Sequence, residues 1–413
     1  MTRPSANGAA GPLVGLRVLE VAGPLGEYCG KLFADLGADV ILVEPPAGVE
    51  RRRSGPFIDD QPEVERSLSF AYLHTSKRGI TLNLDTIDGQ QIFRRLAAGA
   101  AVVVESEPVG TMAARGLDYA DLSAENPGLV YTSVTPFGRE GPYVDYAASD
   151  VVLLAMGGLL YLGGYADGEP IRAAGNQALL AAGQFAAIGS MLAVLEAEQS
   201  GQGQLVDVSA QECVVMAHET AIQFWDSEKF IRRRTGEDQR QAGLGVYPCK
   251  DGHIYLLVGG LGRFWGELIS WMERDGVKGA AELRDPKWQD KDYAASKEGK
   301  QRFMEIFAPF SMAHTKAELY EMGKEARLPL CPVNTPADLA DNPQLEARRY
   351  LTTIQHGTLG RALTMPGAPY QLSATPWRIQ RPAPSLGQHN SEIFGELGLT
   401  ANDLVHLRAG GVI

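Results

Sequence analysis

The stretch Leu16–Pro46 reads LRVLEVAGPLGEYCGKLFADLGADVILVEPP, and its pattern sets the fold. LRVLEVA is an apolar run stopped by Gly and Pro, as expected of a buried strand. GEYCGKLFADLGA follows as a helix, and DVILVEPP as a second strand closed by prolines. Strand, helix, strand is a βαβ unit, which favours a parallel sheet with a right-handed crossover. The pattern recurs in GITLNLD, DGQQIFRRLAAGA and AVVVES, then in GLVYTSVTPFG. About the first 140 residues therefore read as a doubly wound α/β domain with ligand loops at the strand C-terminal ends.

Downstream, apolar and small residues run almost unbroken from Ala178 to Glu198, the pattern of a helix buried over most of its surface. GQLVDVSAQECVVMAHETAIQFW then gives a strand and another helix. Between Asp226 and Gln241 the composition turns charged, which reads as a linker and a domain boundary. The middle region holds a strand, HIYLLVGG, and aromatic-rich helices. The remainder supplies a helix, hairpin-like strands and a final helix.

The 413 residues carry a net charge of −12, which argues against nucleic acid as the main partner, because neutralising phosphates takes a basic surface. A single anionic ligand could still be held by Arg51-Arg52-Arg53 or Arg232-Arg233-Arg234. The four cysteines lie far apart with no C-x-x-C, so reduced thiols are expected, with no metal site. The N-terminus has no apolar leader, and the apolar run DVVLLAMGGLLYLGG is too short and too glycine-broken for a membrane span. A cytoplasmic protein without membrane contact is expected.

No self-sufficient catalytic motif occurs: the seven histidines are scattered, and neither G-x-S-x-G nor H-E-x-x-H is present. GGLGRFWG, which contains Gly259 and Gly260, reads either as a tight turn or as a mobile flap that lets backbone approach a ligand. Lys77 and Arg78 are adjacent cations at a strand entrance. Asp150 opens an apolar segment, where a helix-capping carboxylate is as good an explanation as a catalytic one.

Taken together, KLFADLGADVILVEPP, SKRGITLNLD, TPFGREGPYVDYAASD, SGQGQLVDVSAQE, YPCKDGHIYLLVG, LPLCPVNTPADLADNPQLEARRY and PSLGQHNSEIFGELGL resemble, in order, the class III CoA-transferases. This superfamily includes formyl-CoA transferase, carnitine CoA-transferase and alpha-methylacyl-CoA racemase. The resemblance implies a Rossmann-like large domain built from both chain ends (1–225 and 331–413), a small domain (226–330), and two chains interlocked like links. It also implies coenzyme A or an acyl-CoA as substrate, with Lys77, Arg115 and Arg51 near its phosphates and the Gly259-Gly260 loop overhead.

The family mechanism, so implied, uses one Asp that attacks the thioester to form an anhydride. This Asp stands in a segment A-D-L-A-A-G; here AAGQFAAIG aligns and the position falls on Leu179. Asp167 and Glu169 sit in a turn, and Glu196 and Glu198 lie about 25 Å further along a helix at 1.5 Å per residue. The racemase variant needs a His where Ser149 stands, and the usual Asn-Phe pair against adenine is replaced by Ser106 and Glu107. Three readings follow. One is a subunit without the catalytic Asp beside a paralogous active chain, resembling the two-subunit benzylsuccinate CoA-transferase of anaerobic toluene breakdown. The others are an active homodimer with Asp150 as displaced nucleophile, and a CoA-binding regulatory protein.

Overall fold

The computed structural model describes residues 11–413 apart from Glu219, Thr235, Glu237, Gly260, Leu261 and Thr358. The chain divides into two compact units. The first takes the N-terminal segment to Gly163, Pro170–Arg232 and Arg349–Ile413; the second takes Gly164–Glu169 and Arg233–Arg348.

The first unit is built on β1 (Arg17–Val21), β2 (Asp39–Glu44), β3 (Arg78–Thr81), β4 (Val102–Glu105), β5 (Val130–Thr135) and β6 (Leu205–Ser209). These form one parallel sheet in the order β3-β2-β1-β4-β5-β6. That is the doubly wound order of dinucleotide-binding folds, whose ligand crevice opens where the strand order reverses, between β1 and β4. Helices cover both faces, so the central strands are apolar throughout instead of alternating: Val40, Ile41, Leu42 and Val43 are all buried.

The C-terminal segment closes the β3 edge. Arg78 pairs with Asp39 in β2 and with Glu392 and Glu396 in the Asn390–Glu396 helix. The Asn390 side chain accepts from the Thr81 backbone and donates to the Thr81 hydroxyl, while Ile393 and Phe394 enter the core under the sheet.

The second unit has β7 (Gln239–Gln241), β8 (Leu244–Cys249), β9 (Gly252–Leu257) and β10 (Leu330–Val333) in an antiparallel sheet, packed on its own core with Trp265, Trp271, Trp288, Phe303 and Phe307. Its limits differ from the expected 226 and 330. Leu330–Val333 pairs with β9, so the chain stays in this unit beyond Val333, and the Ala221–Glu228 helix belongs to the first unit. The antiparallel pair β11 (Leu351–His356) and β12 (Arg361–Pro366) returns to the first unit.

The Gln177–Ser200 helix corrects one expectation, that of burial over most of its surface. It is long and apolar enough to cross a membrane by length and composition, yet it is a core helix of the first unit. Ala178, Ala182, Ala186, Ser190 and Ala193 form a small-residue stripe against the sheet, and Ser190 Oγ lies 2.6 Å from Thr132 Oγ1 of β5. It is not buried over most of its surface, because Phe185, Ile188, Leu192 and Leu195 are exposed on the opposite face. Small residues allow close approach on one side only, and the larger ones face outward.

Candidate active site

The start of this helix carries the candidate chemistry. Asn176 precedes it without a capping side chain; instead Asp150 Oδ1 accepts from the backbone nitrogens of Ala178 (2.9 Å) and Leu179 (3.4 Å). Asp150 thus stands in the first turn of its own helix, Asp150–Met156, and caps a different one. It is 6 % exposed, and its Oδ2 is buried without a hydrogen-bond partner. Gly183 lets the helix close on the Glu27–Asp35 helix: a Cβ there would lie 2.8 Å from Tyr28 Cβ and 3.0 Å from the Cys29 nitrogen.

Leu179 and Leu180, so held, border a cavity of about 150 Å³ completed by Pro24, Glu27, Tyr28, Arg51, Ser69, Tyr72, Leu73 and Asn176. Its acid is Glu27, the first residue of the Glu27–Asp35 helix, which sequence reasoning missed. The signal was present in the unusual loop VAGPLGEYC, but nothing in the chain order joins Glu27 to Leu179. Glu27 Oε2 accepts from Arg51 Nε at 2.9 Å, and burial raises its pKa against the pull of Arg51 and Lys77.

Behind Glu27 lies a buried network. Lys77 Nζ donates to Glu20 Oε1 at 2.8 Å and to the Glu27 carbonyl at 2.9 Å, and sits 3.0 Å from His74 Nδ1. That contact makes Nδ1 the acceptor and puts the imidazole proton on Nε2, 3.8 Å from Glu27 Oε1. Burial, then Lys77, hold the His74 pKa well below its usual value, so the ring is neutral. Glu20 is pushed up to about 7 by burial despite Lys77.

The other expected residues are dispersed. Lys77 is fully buried, with its ammonium directed at internal acceptors instead of a surface. Arg115 lies at the rim beyond β4, paired with Asp85 at 2.8 Å and Glu107 at 3.4 Å. Ser106 fills the crevice between β1 and β4: its Oγ is buried without a partner, and a Cβ on Gly23 would come within 2.2 Å of it. Gly259 is in the second unit, where a Cβ would meet the Ala242 carbonyl at 2.3 Å, so tight packing suffices to explain that glycine. Gly260 lies outside the described residues. Asp167 and Glu169 are exposed in the second unit. Among the described residues no cluster of His, Cys, Asp or Glu is arranged to hold a metal.

The chain can be set beside known proteins. The model of CoA-transferase family III matches residues 13–390. The chain is 42 % identical over 400 residues to succinyl-CoA:(R)-benzylsuccinate CoA-transferase subunit BbsE of Thauera aromatica, covering 96 % of this chain and 97 % of that protein. It is 34 % identical to succinyl-CoA–D-citramalate CoA-transferase of Chloroflexus aurantiacus, covering 97 % and 98 %. A crystal structure of a CAIB/BAIF family protein from Brucella suis superposes with a TM-score of 0.82 at 28 % identity, covering 94 % of this chain and all of the other. With the family's sheet, its ordered motifs and near full-length relatives all in agreement, the chain belongs to CoA-transferase family III.

Proposed function

We propose that this chain is the subunit of a succinyl-CoA-dependent CoA-transferase that lacks its own nucleophile and works beside a paralogous chain carrying the Asp. The acceptor class we assign is a succinate bearing an aromatic substituent, following the acid in the name of the BbsE relative. The observation that carries the reading is Leu179 in the first turn of the Gln177–Ser200 helix, at the cavity wall. The family reaction needs a carboxylate oxygen to attack the thioester carbonyl: a C–O bond forms, the C–S bond breaks and CoA thiolate leaves. A leucine side chain has no lone pair to offer.

The neighbouring acids are committed elsewhere, Glu27 to Arg51 and Asp150 to two backbone N–H groups. For the CoA phosphates the available cation is Arg115, whose partner Asp85 is 74 % exposed and readily exchanged. The exposed stripe Phe185, Ile188, Leu192 and Leu195, with Ile222, Trp225, Phe230 and Ile231 also exposed in this unit, supports burial against another chain, interlocked as the family resemblance implies.

A second reading, Asp150 as the nucleophile of a self-sufficient enzyme, draws on its unpartnered Oδ2. Both are tested by purifying the chain from its native host, incubating with succinyl-CoA, trapping with hydroxylamine and mapping the hydroxamate by mass spectrometry. The first expects a co-purifying homologous chain that carries the adduct on an Asp. An adduct on Asp150 of this chain overturns it in favour of the second.

A further inference from the structure

The cavity beside Leu179 has a size and a charge balance that define what it can take. At about 150 Å³ it is far below the several hundred Å³ of a site that engulfs a cofactor-sized ligand. It matches the volume at which an apolar cavity takes one aromatic ring. Its walls are mostly apolar or aromatic: Pro24, Tyr28, Tyr72, Leu73, Leu179 and Leu180.

Arg51 is the cation at the wall, and from its position alone it would draw a carboxylate or phosphate. Glu27, however, already occupies it. Glu27 and Glu20 are balanced by Arg51 and Lys77, and His74 is neutral, so the wall and its backing carry no net charge. An arriving anion would leave one buried negative charge unbalanced beside two carboxylates. An uncharged ring adds none, and removes apolar surface from water.

We infer that Glu27 occupies, from within the chain, the place on Arg51 that an anionic ligand would take, so that this cavity admits an uncharged, ring-sized apolar group and rejects its carboxylate analogue. Burial already presses both Glu20 and Glu27 toward their protonated forms, which makes further negative charge there less tolerable. Equating the bound group with the apolar end of an acyl moiety rests on the transferase reading; the binding preference needs only the cavity and the Glu27–Arg51 pair.

The test uses the whole chain, alone and with any co-purifying subunit, and fluorine NMR titrations of fluorobenzene and 4-fluorobenzoate at pH 8. The wild type is expected to bind fluorobenzene at least tenfold more tightly than fluorobenzoate. Glu27→Gln should reverse the order by freeing Arg51, and Leu179→Trp should abolish fluorobenzene binding by filling the space. Equal binding of the two probes, binding of neither, or an unchanged ratio in a folded Glu27→Gln would overturn the inference. The wild-type comparison decides the matter even if both variants fail to fold. Absence of transferase activity bears on none of these outcomes.

Discussion

The cations on the two sides of the β1–β4 crevice differ most in the exposure of their partners. On the β1–β2–β3 side, Arg51 is 13 % exposed with a Glu27 partner 3 % exposed, and Arg52 and Lys77 are fully buried against Glu44 and Glu20. On the β4 side, Arg115 is 19 % exposed, but its partners Asp85 and Glu107 are 74 % and 28 % exposed. A partner in water is given up cheaply; a buried one is not, because it would be left as an unpaired charge. Removing a cation of the first set would therefore strand a buried carboxylate, whereas Arg115 can exchange its exposed Asp85 partner for another anion.

The largest effect should come from Lys77→Met. It leaves Glu20 buried without its cation, a loss of roughly 3–5 kcal/mol at pH 8. The loss should shrink toward pH 5, where Glu20, already pushed to about 7, takes up a proton. Urea unfolding at both pH values measures this, and an unchanged midpoint with weakened CoA binding would return Lys77 to the ligand.

Next, Leu179→Asp should lower stability by a few kcal/mol and give no succinyl-CoA exchange in the chain alone. Two of the nearby helix N–H groups already bond Asp150, and desolvation raises an unsupported carboxylate's pKa. Exchange activity clearly above background in the purified variant would show that the pocket is otherwise competent.

Arg115→Ala should leave the unfolding midpoint almost unmoved while weakening CoA binding by about 1.5–3 kcal/mol, roughly tenfold to a hundredfold. Calorimetry reads it directly; a lowered unfolding midpoint without loss of affinity would erase the contrast between the two sides.

The most gradual effect concerns Glu105, at the end of β4, whose pKa burial raises from 4.5 to about 7. Below 4.5 native and unfolded chains both carry the proton. Between 4.5 and 7 the native state keeps it while the unfolded state has lost it. Stability should therefore fall as pH rises through that window, by up to about 1.4 kcal/mol per pH unit for one group. Glu105→Gln should flatten the curve, leaving the part due to Glu20 and Glu27. An identical curve in the variant would show that the Glu105 pKa is the same in the native and unfolded chains.

The sheet was legible in the sequence because strands covered on both faces leave continuous apolar runs, as in Val40–Val43 and Val102–Val104. The expectation at residue 179 came from setting AAGQFAAIG against the family's segment and rests on that resemblance. What the chain order concealed was pairing. Lys77 at a strand entrance looks the same whether it faces a phosphate or Glu20. Glu27 is distant from Leu179 in sequence and meets it only because Gly183 brings two helices together. The outward face of the Gln177–Ser200 helix was hidden too, since its small and large apolar residues read alike until the stripe at Ala178, Ala182 and Ala186 is seen to be the inner one.

The seat at residue 179 is held by main chain. Asp150 grips backbone nitrogens, and Gly183 sets the helix height through a hydrogen where any other residue has a carbon. Neither depends on the side chain that the seat presents. A sequence can therefore exchange that side chain without shifting the helix, so one main-chain seat can present an inert group or a reacting one at the same point in space.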